Sequence, residues 1–148
     1  MRGTLKGVSR DFEREDYMNI KDFMIENTEE TTEVKLKRFP APFKVKAITQ
    51  EENEEIRNRC LKPVKKNGVV VTRELDTAKF SRELMVACVV EPDFRNSELC
   101  KFYGTLDPLE VPSKMLKAGE YSKLSSAISR LNGFDDESTE ELANEAKN

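Results

Sequence analysis

Residues 76–92 read DTAKFSRELMVACVVEP, and the way this stretch is read decides the fold. Asp76 is a helix-capping residue type, and Phe80, Leu84, Ala87 and Cys88 follow at helical spacing, so the pattern predicts a helix that runs to Pro92. Met85, Val86, Val89 and Val90 fill the opposite side. A helix apolar over most of its circumference cannot lie on a surface, so the segments on either side must supply its cover.

Upstream, two short alternating runs supply a sheet. Over residues 33–38, Val34 and Leu36 face one way and Lys35 and Lys37 the other. Pro40-Ala41-Pro42 interrupts the run, and Phe43, Val45 and Ala47 resume it opposite Lys44 and Lys46. This is a β-hairpin with one apolar and one basic face, and its prolines call for a longer connection than a two-residue turn. Tyr17, Ile20, Phe23 and Met24 recur at helical spacing before it, which predicts a short amphipathic helix ending near Asn27.

After the hairpin, Thr49-Gln50-Glu51-Glu52 is a capping box, and Ile56 with Cys60 forms the inward stripe of a helix that Pro63 is expected to stop. Lys65-Lys66-Asn67-Gly68 reads as a turn leading to a short strand at Val69–Val71. Downstream, Asn96 opens a short helix closed by Gly104. Pro108 opens another that contains Met115 and Leu116 and closes at Gly119. Tyr121, Leu124, Ile128 and Leu131 form the stripe of a last helix ended by Asn132-Gly133. The expected architecture is α+β: a small antiparallel sheet backed by four or five helices, with the C-terminal helices packed as a hairpin.

Composition bounds the rest. The chain has 148 residues, 37% hydrophobic and 36% charged, enough for one compact domain that buries about 68–70% of its unfolded surface. No apolar run approaches the roughly 20 residues of a membrane span, and the first residues lack a secretion signal, so a soluble, cytoplasmic protein with no membrane partner is expected. Residues 1–17 mix both charges with few apolar anchors and are assigned as a loose leader, and residues 18–134 as the globular domain. Residues 135–148 carry six acids against Lys147 and form an acidic, mobile tail. Within that tail, Ser138 and Glu141 make a second capping box, with Leu142 and Ala146 on one helical face.

The chain contains no histidine, which removes Ser-His-Asp, Cys-His and histidine-zinc sites together. Cys60, Cys88 and Cys100 are odd in number, and their spacing fits neither a zinc ribbon nor a disulfide framework; buried thiols are expected. Glu51, Glu52, Glu54 and Glu55 lie in the first turns of a capped helix, where the helix dipole accounts for them. The glycines are isolated and form no phosphate loop. No catalytic, metal or cofactor-binding residue is assigned.

Two surfaces remain. Lys35, Lys37, Arg38, Lys44 and Lys46 on the hairpin, with Lys62, Lys65, Lys66 and Arg73, suit nucleic acid, but a near-neutral body favours a solvated face. Phe39, Phe43, Phe94, Phe102, Tyr103, Met115 and Phe134 exceed what a small sheet and short helices need. They are the candidate partner-binding residues, as a Met- and Phe-rich cleft holds an amphipathic helix.

The order of segments resembles a known family. Asp22-Phe23-Met24, Lys37-Arg38-Phe39, Ile48-Thr49 leading to Glu52 and Arg57, Ala87 through Asp93, Tyr103-Gly104, Gly119-Glu120-Tyr121 and Leu131 through Phe134 are similar to the tail assembly chaperones of PBSX-like contractile-tailed phages and prophages. The likeness covers roughly residues 18–134. It implies a non-catalytic protein of the bacterial host cell, absent from the finished particle, that coats the helix-rich tape-measure protein, keeps it soluble and assists polymerisation of the tail tube around it. Tail-tube subunits are then a second partner, and a homo-oligomer is left open. The rival readings are a nucleic-acid-binding or regulatory module built on the basic hairpin, and a structural head-tail adaptor.

Overall fold

The computed structural model describes residues 18–134; the leader and the acidic tail, including the Ser138–Glu141 capping box, lie outside the described residues. Its architecture is α+β. A three-stranded antiparallel sheet has the order β1-β2-β5, formed by β1 (Thr31–Val34), β2 (Phe43–Lys46) and β5 (Val89–Glu91). A separate two-stranded sheet pairs β3 (Leu61–Lys66) with β4 (Val69–Leu75). The helices are α1 (Gln50–Arg59), α2 (Thr77–Cys88), α3 (Ser97–Phe102), α4 (Val111–Met115) and α5 (Ala118–Asn132).

The predicted hairpin forms in the expected sense, with Val34 opposite Phe43 and Thr32 opposite Val45. Val34, Leu36, Phe43 and Val45 are buried while Lys35 and Lys37 are exposed, so the alternation separates core from solvent. Residues 35–42 make the long connection that the prolines demand.

Helix starts follow the caps. Thr49 Oγ1 accepts from the Glu52 N–H at 3.2 Å while Glu52 Oε1 accepts from the Thr49 N–H at 2.9 Å. Asp76 accepts from the Lys79 N–H at 3.1 Å, and Asn96 from the Leu99 N–H at 3.0 Å. Gly133 closes α5 at φ 77°, a conformation open to glycine at little cost.

Five expectations are corrected. Helix α2 ends at Cys88 rather than Pro92, because Val89 and Val90 leave the helix and Val89 pairs with Val45 of β2. β-branched residues fit a pleated edge well, and the open side of β2 offers the hydrogen bonds that a further helical turn would have made. The helix expected over Tyr17–Asn27 is not found among the described residues 18–27, which form only a 3₁₀ turn at Ile20–Phe23 whose apolar side chains are exposed; a helix that short is marginal without a packing surface, and Tyr17 lies outside the described residues.

Pro63 does not stop α1, which ends at Arg59, but lies inside β3, a strand that pairs only with β4 and therefore tolerates a missing N–H. The turn is Asn67-Gly68, with φ of 54° and 79°, as a two-residue hairpin requires. Gly119 does not close a helix. The segment from Pro108 is a 3₁₀ turn followed by α4, and Gly119 lies in the first turn of α5. Finally, α5 packs chiefly on β1, β2 and α2 instead of forming a hairpin with its predecessor.

Helix α2 is central, as its composition requires: α1, α4, α5 and β5 all pack on it. Met85, Val86 and Cys88 of α2 meet Phe43, Val45 and Val89 of the sheet, Leu124 and Ile128 of α5, Val111 and Met115 of α4, and Phe94 in one buried cluster. Among the described residues no helix is long and apolar enough to cross a membrane.

Candidate functional site: an open apolar groove

Where the β1–β2 connection passes the end of β5, the chain leaves a groove of about 260 Å³. Phe39, Pro40, Ala41, Pro42 and Phe43 line it together with Glu91, Pro92 and Met115. Pro92 also borders a second depression of about 300 Å³, lined by Asp93, Asn96, Glu98, Leu99 and Phe102. The two share Pro92 and make one largely apolar strip, with Glu91, Asp93 and Glu98 set among its apolar residues. Phe102 stands at its end, 78% exposed, with its ring edge-on to Tyr103 at 4.9 Å.

A charged clamp holds Phe39 in place. Arg38 donates to both Glu120 carboxylate oxygens, Nη2 to Oε1 at 2.7 Å and Nε to Oε2 at 3.0 Å, and its Nη2 also donates to the Met115 carbonyl at 2.8 Å. Its guanidinium lies 4.5 Å from the centre of the Phe39 ring, and Phe39 meets Phe43 edge-on at 5.1 Å. Three contacts thus tie the hairpin loop to the junction of α4 and α5. The Arg38 hydrogen bonds, with a further one from the Lys117 N–H, pull the Glu120 carboxyl down to about 2, so the clamp is charged at neutral pH.

The seven aromatic and methionine candidates divide by position. Phe43, Phe94 and Met115 are core residues, of which Phe43 and Met115 also line the groove and Phe94 is fully covered. Phe39 and Tyr103 are half-buried against that core. Phe102 is exposed on the strip. Phe134, 49% exposed, follows the far end of α5, roughly 20 Å along that helix from Glu120, and is not part of the groove. The groove residues not singled out as binding candidates from the sequence are Pro40, Ala41, Pro42, Glu91, Pro92, Asp93, Asn96, Glu98 and Leu99. The Pro-Ala-Pro run was their one visible signal.

Reactive groups are few and closed away. The three cysteines are free and buried. Burial pushes the Cys88 thiol up to about 11, partly offset by the side-chain amide of Asn132, and burial also raises the Cys60 thiol. Among the described residues no group of three or more Cys, Asp and Glu side chains is placed to share a metal ion. The basic face of the hairpin is interleaved with acids: Lys44 lies between Glu33 and Glu91 in the sheet register, and Lys46 is 3.6 Å from Glu29. Alternating charge of this kind gives little net field for a phosphate backbone.

The sequence matches known proteins over most of its length. Residues 20–147 match the family described as Phage XkdN-like tail assembly chaperone protein, TAC. That match runs into the acidic tail, further than the residue pattern alone suggested. The phage-like element PBSX protein XkdN of Bacillus subtilis (strain 168) is 35% identical over 146 residues, covering 90% of this chain and 97% of that protein. YqbN of the same organism is 38% identical over 138 residues, covering 85% of this chain and 91% of its own. A crystal structure of YqbN superposes with a TM-score of 0.66 at 31% identity, over 80% of this chain and 98% of that one. The chain therefore belongs to the XkdN-like family of phage tail assembly chaperones.

Proposed function

We propose that the protein is a non-enzymatic helper that binds the phage tape-measure protein in the bacterial cytoplasm, keeps it soluble, and gives it up as tail-tube subunits polymerise around it. The observation that carries this reading is the open apolar strip from Phe39 to Phe102 on a chain of this family. A long helical protein has an apolar stripe before assembly, and a strip of prolines and aromatics covers such a stripe without demanding one sequence. Prolines lose little entropy on binding because their backbone is already restrained. The strip is shallow and open, so contact with a client is reversible, as a factor absent from the finished particle requires. Lys44 and Lys46 interleaved with Glu29, Glu33 and Glu91 weigh against the nucleic-acid reading.

Co-expression tests it. Tape-measure protein made with the full chain is expected in the soluble fraction and in complex with it, and purified particles are expected to lack the chain. A tape measure that stays insoluble and fails to co-purify would overturn the proposal, and stable incorporation into particles would favour a head-tail adaptor.

A further inference from the structure

The β3–β4 pair forms an arm whose strands pair only with each other. At its base Leu61 lies opposite Leu75, and the Asp76 N–H donates to the Cys60 carbonyl at 2.8 Å. Beyond the base, Val69, Val70 and Val71 are 63%, 48% and 58% exposed. The register surrounds them with cations that have no carboxylate opposite: Lys65 faces Val70, Lys66 faces Val69 and Arg73 faces Pro63. The arm's one acid, Glu74, is matched with Lys62. An exposed strand edge carrying valines and three unmatched cations suits a ligand that is both acidic and apolar.

This chain contains such a segment. Residues 135–148 hold six acids against Lys147, together with Leu142, Ala143 and Ala146. Reach decides where it goes. The described chain ends just past Asn132, whose Oδ1 accepts from the Ile48 N–H at 2.8 Å. Ile48 lies just before the start of α1, and the far end of that helix is the arm's base, roughly 15 Å away. Fourteen extended residues span up to ~46 Å, so the tail reaches the arm of its own chain, at an effective concentration in the millimolar range.

We infer that residues 135–148 fold back onto the β3–β4 arm of the same chain, with their carboxylates against Lys65, Lys66 and Arg73 and Leu142 against Val69–Val71. The tail then covers an exposed strand edge until a stronger ligand displaces it. This inference does not rest on the identity of the client.

Hydrogen–deuterium exchange over residues 61–75 in the full-length chain tests it, with α5 as internal reference. Neutralising the tail (Asp135→Asn, Asp136→Asn, Glu137→Gln, Glu140→Gln, Glu141→Gln, Glu145→Gln) is expected to speed arm exchange about fivefold or more, and about 0.5 M salt to do the same to the unaltered chain. Reversing the arm (Lys65→Glu, Lys66→Glu, Arg73→Glu) should give the same acceleration. Adding Glu140→Lys, Glu141→Lys and Glu145→Lys to the reversed arm should restore slow exchange. Arm exchange unmoved by tail neutralisation overturns the inference, and so does protection that falls on dilution, which would assign the contact to a second copy. Should the reversed arm fail to fold, the neutralised tail still decides, since it alters none of residues 18–134.

Discussion

Phe102→Ala separates a binding surface from a structural one. The ring is 78% exposed, so most of the roughly 200 Å² that a phenylalanine can bury is available to a partner. At about 25 cal/mol per Å², complete cover of that area is worth ~4 kcal/mol as an upper bound, and a contact at the end of an open strip realises about half. Loss of ~2 kcal/mol weakens client binding about 30-fold. Folding is affected less. The substitution removes the Tyr103 edge contact and little buried area, for a cost of about 1 kcal/mol and a melting shift of roughly 3–4 °C. Isothermal titration with a soluble amphipathic fragment of the tape measure, beside a thermal melt of each protein, measures both numbers. Unchanged affinity in a variant that melts within a few degrees of the parent would refute the assignment of the strip.

Core, cysteine and clamp give further tests. Leu124 is fully buried among α2, α5 and the sheet, so Leu124→Ala should destabilise the fold by ~2–5 kcal/mol, seen as a lower urea midpoint with an unchanged slope. With its thiol held up to about 11, Cys88 stays protonated at pH 8, and iodoacetamide should label it only after denaturant is added; rapid native labelling would show that the α2–α5 contact opens. Glu120 has its folded value lowered to about 2 from an ordinary 4.5, so its contribution is complete above about 4.5 and is lost as pH falls toward 2. Glu120→Gln should therefore flatten the acid limb of a stability–pH curve between those values, and an unaltered limb would mean the Arg38 clamp adds nothing in solution.

Features set by a few neighbouring residues were legible in the sequence. The caps at Thr49, Asp76 and Asn96 and the αL glycine at 133 each depend on contacts within one turn, and all four are found. Alternation in the hairpin predicted its buried face for the same reason. What escaped the reading was decided by distant partners. Val89 and Val90 suit a helix or a strand equally well, and only the open side of β2 chooses the strand. β3 was hidden because Pro63 signals a break, which holds for a central strand but not for one paired on a single side. The groove is the extreme case. Phe39 was visible as an aromatic in excess, yet it lines one groove with Pro92, and nothing local to either residue says that they come together.

On the proposed function, the distribution of exposed apolar residues bears on how a helper of this size would release a client. Among the described residues, besides the single side chains of Phe102, Leu106 and Phe134, the large exposed apolar side chains fall in two places: Met18, Ile20, Phe23, Met24 and Ile25 before β1, and Val69–Val71 on the arm. A stable interface buries about 800 Å² per partner, and the exposed apolar surface here is divided among separate segments. A contact of about 10 μM affinity is worth ~7 kcal/mol, and linking a second of the same strength at millimolar effective concentration makes the pair tighter by about 10². Breaking one link restores weak binding. On the proposed reading, a tube subunit that competes for one patch at a time dislodges the chain stepwise, whereas a single deep pocket of equal total affinity would have to open all at once. Client dissociation should therefore speed up in the presence of excess competing amphipathic peptide, and a dissociation rate indifferent to that peptide would argue for one tight site instead of several weak ones.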